Sequence, residues 1–275
     1  MKYTTPKGPR EERLLLSKLA RAARGGLLTV SSAAATLKLP TRKAALKLAS
    51  LARRGWLKRV RRGLYLVLPL EAEPGKPTVP EDAWILAREA FSPCYIGGWS
   101  AAEHWGLTEQ LFRSTLVVTA ANIRQRSTVL LGHEFRLFRV PRARVSGATP
   151  VWRGAERVSV SDRERTLLDC LQYPELCGGI RHLADIMAEY GRSKEKNVPK
   201  LITLAGQIAN GAAWKRLGYL AETLWPEQSD ITVEARKHVT RGYVRLDPAV
   251  QRKGRVVRRW NLRLNVPISP ELNHA

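Results

Sequence analysis

An α+β fold, an N-terminal winged helix-turn-helix followed by a larger mixed α/β domain, is what the sequence predicts from three features. Residues 1–70 carry three short helical patterns and then a basic hairpin. The segment Pro69 to Pro80, PLEAEPGKPTVP, has four prolines and one glycine and can continue neither a helix nor a central strand. Beyond it lies a longer stretch in which helical and strand patterns are partly segregated. At 275 residues and 44% apolar composition, the chain is long enough to bury a real core and to form more than one domain. The divisions expected are 1–70, a linker at 71–80, and 81–275.

The first helix is expected from Arg10 to Arg24. Glu11 and Glu12 sit in its first turn, Leu15, Leu16, Leu19 and Ala23 follow at helical spacing, and Gly25-Gly26 stops it. Thr29 can cap a short second helix through Leu37, with Val30, Ala33, Ala34 and Leu37 on one face. After Pro40, Thr41 is expected to cap a third helix reaching Arg54, striped by Ala44, Ala45, Leu48, Leu51 and Ala52, with Gly55 at its end. WLKRV, RRG and LYLVLP then read as two strands around an arginine-rich turn, the wing. Trp56, Leu57, Tyr65 and Leu66 are assigned to the core.

In the larger part a helix is expected from Glu81 to Phe91, and Ser100 to Glu103 has the spacing of a capping box opening a helix that ends at Gly106. Strands are expected at Leu116–Thr119, Thr128–Leu131, Phe135–Val140 and Arg157–Val160. Ser161 to Glu164 reads as a second capping box, launching a helix broken by Pro174. Helical stretches follow after Gly178-Gly179 to Tyr190, within Val198–Ile208 and within Ala212–Leu224. Gln251 to Arg259, QRKGRVVRR, reads as a basic turn leading into the strand WNLRLN. No repeat at a fixed period is present.

Charge narrows the function. With 47 Lys plus Arg against 24 Asp plus Glu, the net charge of +23 exceeds what solubility requires and points to a polyanionic partner. Residues 1–70 hold 17 basic and two acidic side chains, whereas 71–200 are nearly neutral and 201–275 hold 12 basic and six acidic. No run is long enough for a membrane span and Met1 to Arg24 does not read as a secretory signal, so a soluble, cytoplasmic protein is expected. Cys94, Cys170 and Cys177 form no CxxC pair and are expected to be reduced and buried.

A helix-turn-helix reads duplex DNA by burying one side of its third helix and presenting the other to phosphates and base edges. Thr41, Arg42, Lys43, Lys47 and Ser50 are the expected reading residues. Arg42 lies in the first turn, where contact with base edges is usual and where arginine suits guanine. Arg53 and Arg54, at the far end, are assigned to phosphate or solvent, and Arg59, Arg61 and Arg62 around Gly63 to a clamp from the wing. Duplex DNA is favoured over RNA because no aromatic-studded sheet is indicated. The basic segment containing Arg252, Lys253, Arg255 and Arg258 has three open readings: a second nucleic-acid contact, a surface for a protein partner, or a solvated turn.

Together with the winged helix, three motifs carry a family resemblance: YIGGWSAAEHWGL from Tyr95, VSVSDRERTLLDCLQYPELCGG from Val158, and YVRLDP with the later WNLRLN. The sequence resembles the AbiEi-type antitoxins and transcriptional repressors of type IV abortive-infection toxin-antitoxin systems, over nearly its whole length. The resemblance implies autoregulation by binding inverted repeats through the N-terminal domain. It also implies a neighbouring nucleotidyltransferase-like toxin, and a C-terminal domain associated with antitoxicity. Inverted repeats would require a dimer or cooperative monomers on the DNA.

No enzyme activity, cofactor or metal is expected. His104, His133, His182, His238 and His274 show no metal-ligand spacing. Glu103 and His104 invite a catalytic reading, but Glu103 is assigned to its capping box. Asp162, Glu164 and Asp169 could be a metal-binding carboxylate cluster, but helix capping and a loop hydrogen bond are the readings preferred. The rivals are a regulator whose second domain senses a signal without a toxin partner, and a DNA-cleaving enzyme delivered by its winged helix.

Overall fold

The computed structural model describes residues 9–68 and 82–268, so the expected linker at 71–80, Glu81 at the expected helix start, and His274 lie outside the described residues. The head begins with α1 (Pro9–Ala22), which ends two residues before its expected limit. Gly25 and Gly26, at φ +54° and +76°, reverse the chain into β1 (Leu27–Thr29). This strand was not anticipated, because three residues are too few to display alternation. Thr29 then caps α2 (Val30–Leu37), accepting from the Ser32 amide at 3.1 Å while Ser32 Oγ interacts in return.

α3 (Thr41–Arg53) differs in its cap. Thr41 is the first helical residue, not the capping one, and the cap position belongs to Pro40, whose carbonyl accepts from the Lys43 and Ala44 amides at 2.9 and 3.0 Å. Proline's fixed φ suits that place and leaves no amide to satisfy. The hairpin β2 (Leu57–Arg61) and β3 (Leu64–Val67) completes an antiparallel sheet of order β1-β3-β2. Leu16, Leu19, Leu28, Ala33, Leu48, Leu51, Leu57 and Tyr65 form the core between helices and sheet, and Trp56 is half-buried against it.

The body is built on a six-stranded mixed sheet. Its strands are β4 (Cys94–Ile96), β5 (Ser114–Thr119), β6 (Ser127–Leu130), β7 (His133–Arg139), β8 (Thr149–Arg153) and β9 (Glu156–Val160), in the order β6-β7-β5-β4-β9-β8. β4 and β8 had no clear sequence signal. Pairs β5/β7 and β4/β9 are parallel and the others antiparallel. α4 (Ala83–Phe91), capped by Asp82, packs on one face, where Ile96, Val117, Phe135, Leu137, Val158 and Val160 point. That same cluster contains Leu27, Leu64 and Leu66 of the head, so head and body share buried apolar surface.

Leu116 points to the opposite face, against the larger helical core. The helices there are α5 (Gly98–His104), α6 (Arg163–Gln172), α7 (Ile180–Arg192), α8 (Val198–Ile208), α9 (Gly211–Leu224) and α10 (Ser229–Lys237), of which α10 was not expected. A small sheet of β10 (Val244–Arg245), β11 (Arg255–Val257) and β12 (Leu262–Leu264), in the order β10-β12-β11, completes the body.

Both expected capping boxes shift. α5 starts at Gly98, with Gly97 at the cap, so Ser100 is inside the helix, where its buried hydroxyl accepts from the Leu116 amide at 2.9 Å, and Glu103 is exposed. Gly98, at φ +50°, permits this early start: a β-carbon there would lie 2.1 Å from the Leu176 carbonyl oxygen. In α6 the capping residue is Asp162, which accepts from the Arg165 amide at 2.8 Å, while Ser161 turns inward to Thr166 at 2.8 Å. The YVRLDP and WNLRLN motifs meet: Asp247 accepts from the Ile180 amide at 2.9 Å at the start of α7, and Asn265 bridges Asp247 and Val250.

Candidate nucleic-acid interface

α3 buries Ala44, Leu48 and Leu51 against the head's core. At about 100° per residue, the direction opposite that stripe falls within about 20° of Leu46 and Arg53, about 30° of Arg42 and about 55° of Ser50. Arg42 and Arg53 are exposed, Ser50 is half-buried, and Leu46 is 59% exposed. Lys43 and Lys47 are half-buried on one flank, and Thr41, though exposed at the helix start, points away from this crest. Leu46 was missed because the sequence reading searched the exposed side for charge; plotting the helix by angle would have found it. Arg54 does not join the crest, since it pairs with Glu12 of α1 at 2.6 Å.

The wing splits its arginines. The register shifts between Arg59, opposite Tyr65, and Arg61, opposite Leu64, leaving Val60 as the extra residue, which packs toward the body. Arg59, Arg61 and Arg62 are all exposed, and the Arg61 guanidinium lies over the Phe91 ring of α4, 5.5 Å from its centre. Of the three arginines expected to clamp from the wing, Arg61 is thus the one in contact with the body. Between α3 and β2 runs an open cleft of about 580 Å³ whose lining includes Arg53, Lys58, Arg59 and the small residues Ala49 and Ala52. With three cations among an otherwise mainly apolar lining that includes Leu57, Tyr65 and Leu68, the cleft can admit a phosphate backbone while the crest of α3 stands beside it.

The C-terminal basic segment is organised differently from the expected turn. Arg255 belongs to β11, the reversal is made by Arg258–Trp260 with Asn261 at φ +47°, and Arg252 and Lys253 precede the strand. Arg252, Lys253, Arg255 and Arg258 are all exposed. On the outer side of the small sheet Arg245 stands directly opposite Arg263 across the β10/β12 pair, a like-charge juxtaposition missed in sequence. Arg259 is tied to Glu222.

The candidate catalytic groups have structural partners. Lys200 bridges Asp162 and Glu164, each at 2.9 Å, and Glu164 also accepts from the Tyr190 hydroxyl at 3.0 Å. Asp169 is apart from them, accepting from Tyr95 at 2.6 Å and Arg165 at 3.0 Å, where burial raises its pKa. Arg165 in turn donates to the Arg144 carbonyl at 2.7 Å, so this network joins β4, α6 and the loop after β7. Among the described residues no group of three His, Cys, Asp or Glu is placed to hold a metal. Cys170 and Cys177 are buried, and burial pushes the half-buried Cys94 thiol up to about 12. No helix among the described residues is long and apolar enough to cross a membrane.

Residues 17–67, the head from mid-α1 to the end of the wing, match the family model described as transcriptional regulator, AbiEi antitoxin. The resemblance read in the sequence is thus met in the head, whose residues match that family model. Over 94% of its length, and 94% of the other chain, the fold resembles the crystal structure of the RV2827C protein from Mycobacterium tuberculosis, with a TM-score of 0.56 and 19% identity. No curated protein matches the chain.

Proposed function

We propose that this protein represses its own operon by binding inverted repeats in promoter DNA, and acts as the antitoxin of a type IV toxin-antitoxin system. The observation that carries the reading is the exposed crest of α3, with Arg42 in its first turn, flanked by a cationic cleft and the Arg59 and Arg62 wing in a head that matches the AbiEi regulators. α3 enters the major groove, Arg42 addresses a base edge, and Arg53, Lys58, Arg59 and Arg62 neutralise phosphates. Two copies of the head engage the two half-sites.

The body contributes no catalysis in this reading. Asp162, Glu164 and Asp169 are engaged by Lys200, Tyr95 and Arg165, and the nearly neutral stretch 71–200 suits contact with protein. The partner proposed is a nucleotidyltransferase-like toxin encoded beside it. The test has two parts, footprinting of the region upstream of the gene, and co-expression of the full chain with the adjacent gene product. Protection of an upstream repeat and relief of growth arrest are expected. Protection without relief would leave a regulator and remove the antitoxin role; metal-dependent cutting of the same DNA, lost in Asp162→Ala, would replace repression by cleavage.

A further inference from the structure

We propose that Leu46 reads thymine: its side chain meets a thymine 5-methyl group in the major groove, making an apolar contact part of sequence selection. The inference rests on the DNA-reading role of α3 proposed above. Leu46 is 59% exposed, although the residue two positions on, Leu48, is completely buried. Its direction is nearly opposite the buried stripe, so when the stripe faces the head's core, Leu46 stands with Arg53 at the centre of the face presented to a partner.

Isolated exposed leucines are ordinary on protein surfaces. This one differs in its setting, between Arg42 one turn before and Ser50 one turn after, with Arg53 on the same crest and the small Ala49 beside it. Arg42 and Ser50 offer hydrogen bonds to base edges, and leucine offers none. In the major groove the apolar feature that distinguishes one base is the thymine methyl. A leucine on this crest would strip water from a polar base edge without returning a hydrogen bond, whereas opposite that methyl group both apolar surfaces gain burial.

The experiment uses the full-length protein and duplexes that it enriches from a random DNA pool. Each thymine in the enriched sequence is replaced in turn by deoxyuridine, which removes the methyl group and retains the pairing. Binding is measured by fluorescence anisotropy for the wild type, Leu46→Ala and Leu46→Met. We expect one thymine in each half-site whose replacement weakens binding by about fourfold, the size for one buried carbon. That loss should vanish in Leu46→Ala and persist in Leu46→Met, because methionine keeps an apolar side chain of similar reach.

Enrichment with salt-sensitive binding but no thymine-to-uracil effect would overturn the role of Leu46 and leave the DNA-reading role of the head standing. A uracil effect that survives unchanged in Leu46→Ala would assign the methyl contact elsewhere and likewise overturn it. If no duplex is enriched, the DNA-reading role itself fails and the thymine contact falls with it.

Discussion

Arg61, on the wing, and Phe91, at the end of α4, form a cation–π contact with 5.5 Å between guanidinium and ring centre. The wing is thereby anchored to the body, and Arg61 has a structural task that Arg59 and Arg62 lack. Arg61→Ala should lower stability by about 0.5–1 kcal/mol, the value for an exposed pair of this kind. It should weaken DNA binding less than Arg62→Ala does. Thermal melts and anisotropy titrations on the two variants check the order, and a larger binding loss for Arg61→Ala would place its guanidinium on the DNA.

The proposed DNA contact has an ionic signature. If six to eight phosphates are engaged, log affinity should fall against log salt with a slope of about −5 to −7. Arg42→Ala should relax preference at one base position by about 1–3 kcal/mol, whereas Arg59→Ala should weaken all sequences alike and lower the slope by about one. Titrations on the specific duplex and on random DNA across a salt series separate the two behaviours. A flat salt response would remove the polyanion reading altogether.

The head was legible where its signals are local. Thr29 before an apolar stripe, Gly55 after one, and WLKRV and LYLVLP around RRG each specify their element within a few residues. What was hidden depends on the fold. β1 exists because Leu27 and Leu28 find Leu66 and Tyr65 across the sheet, and Ser100 lies within its helix because Gly98 can approach Leu176. The interface was half legible: Arg42, Arg59 and Arg62 are exposed as the sequence suggested, but which way Arg61 turns is decided by a bulge and a ring 30 positions away. Leu46 was overlooked because only charged and polar residues were expected on the side facing away from the stripe, and its exposure follows from its angle on the helix.

Gly98 makes a direct test of that packing. Any β-carbon at this position meets both the Leu176 carbonyl oxygen at 2.1 Å and a Leu116 methyl at 2.2 Å, and φ +50° is itself unfavourable for other residues. Backbone must shift to relieve the first contact. Gly98→Ala should therefore cost more than about 3 kcal/mol, at the upper end for single changes. Gly106→Ala, with open space around its β-carbon, should cost less, and chemical denaturation of both variants makes the comparison.

Arg245 and Arg263, directly opposed across β10 and β12, repel each other in the isolated protein. Replacing Arg263 by serine should raise stability by about 0.2–1 kcal/mol. The gain should shrink as salt is added, since both side chains are exposed and screened. Melting curves at low and high ionic strength test the sign, and destabilisation at low salt would mean that Arg263 contributes packing that outweighs its charge.

His104 gives the fold a dependence on pH. Its ring is in edge contact with Trp84, at 5.3 Å, and Trp105, at 4.5 Å, and Arg153 and Arg163 lie over those two indoles. Burial first, and then the charges of Arg153 and Arg163, hold its pKa below the ordinary 6.5. On acidification the unfolded chain therefore takes up this proton before the folded chain does. The stability that a neutral His104 contributes is complete above pH 6.5 and declines as pH falls from there toward the folded value, below which the loss levels off. His104→Gln, which cannot titrate, should flatten this part of the curve between pH 8 and about 5.5. Denaturation midpoints of wild type and variant measured across that range decide the matter: parallel curves would mean that the acid sensitivity arises elsewhere, and a wild type that gains stability on acidification would reverse the direction assigned to His104.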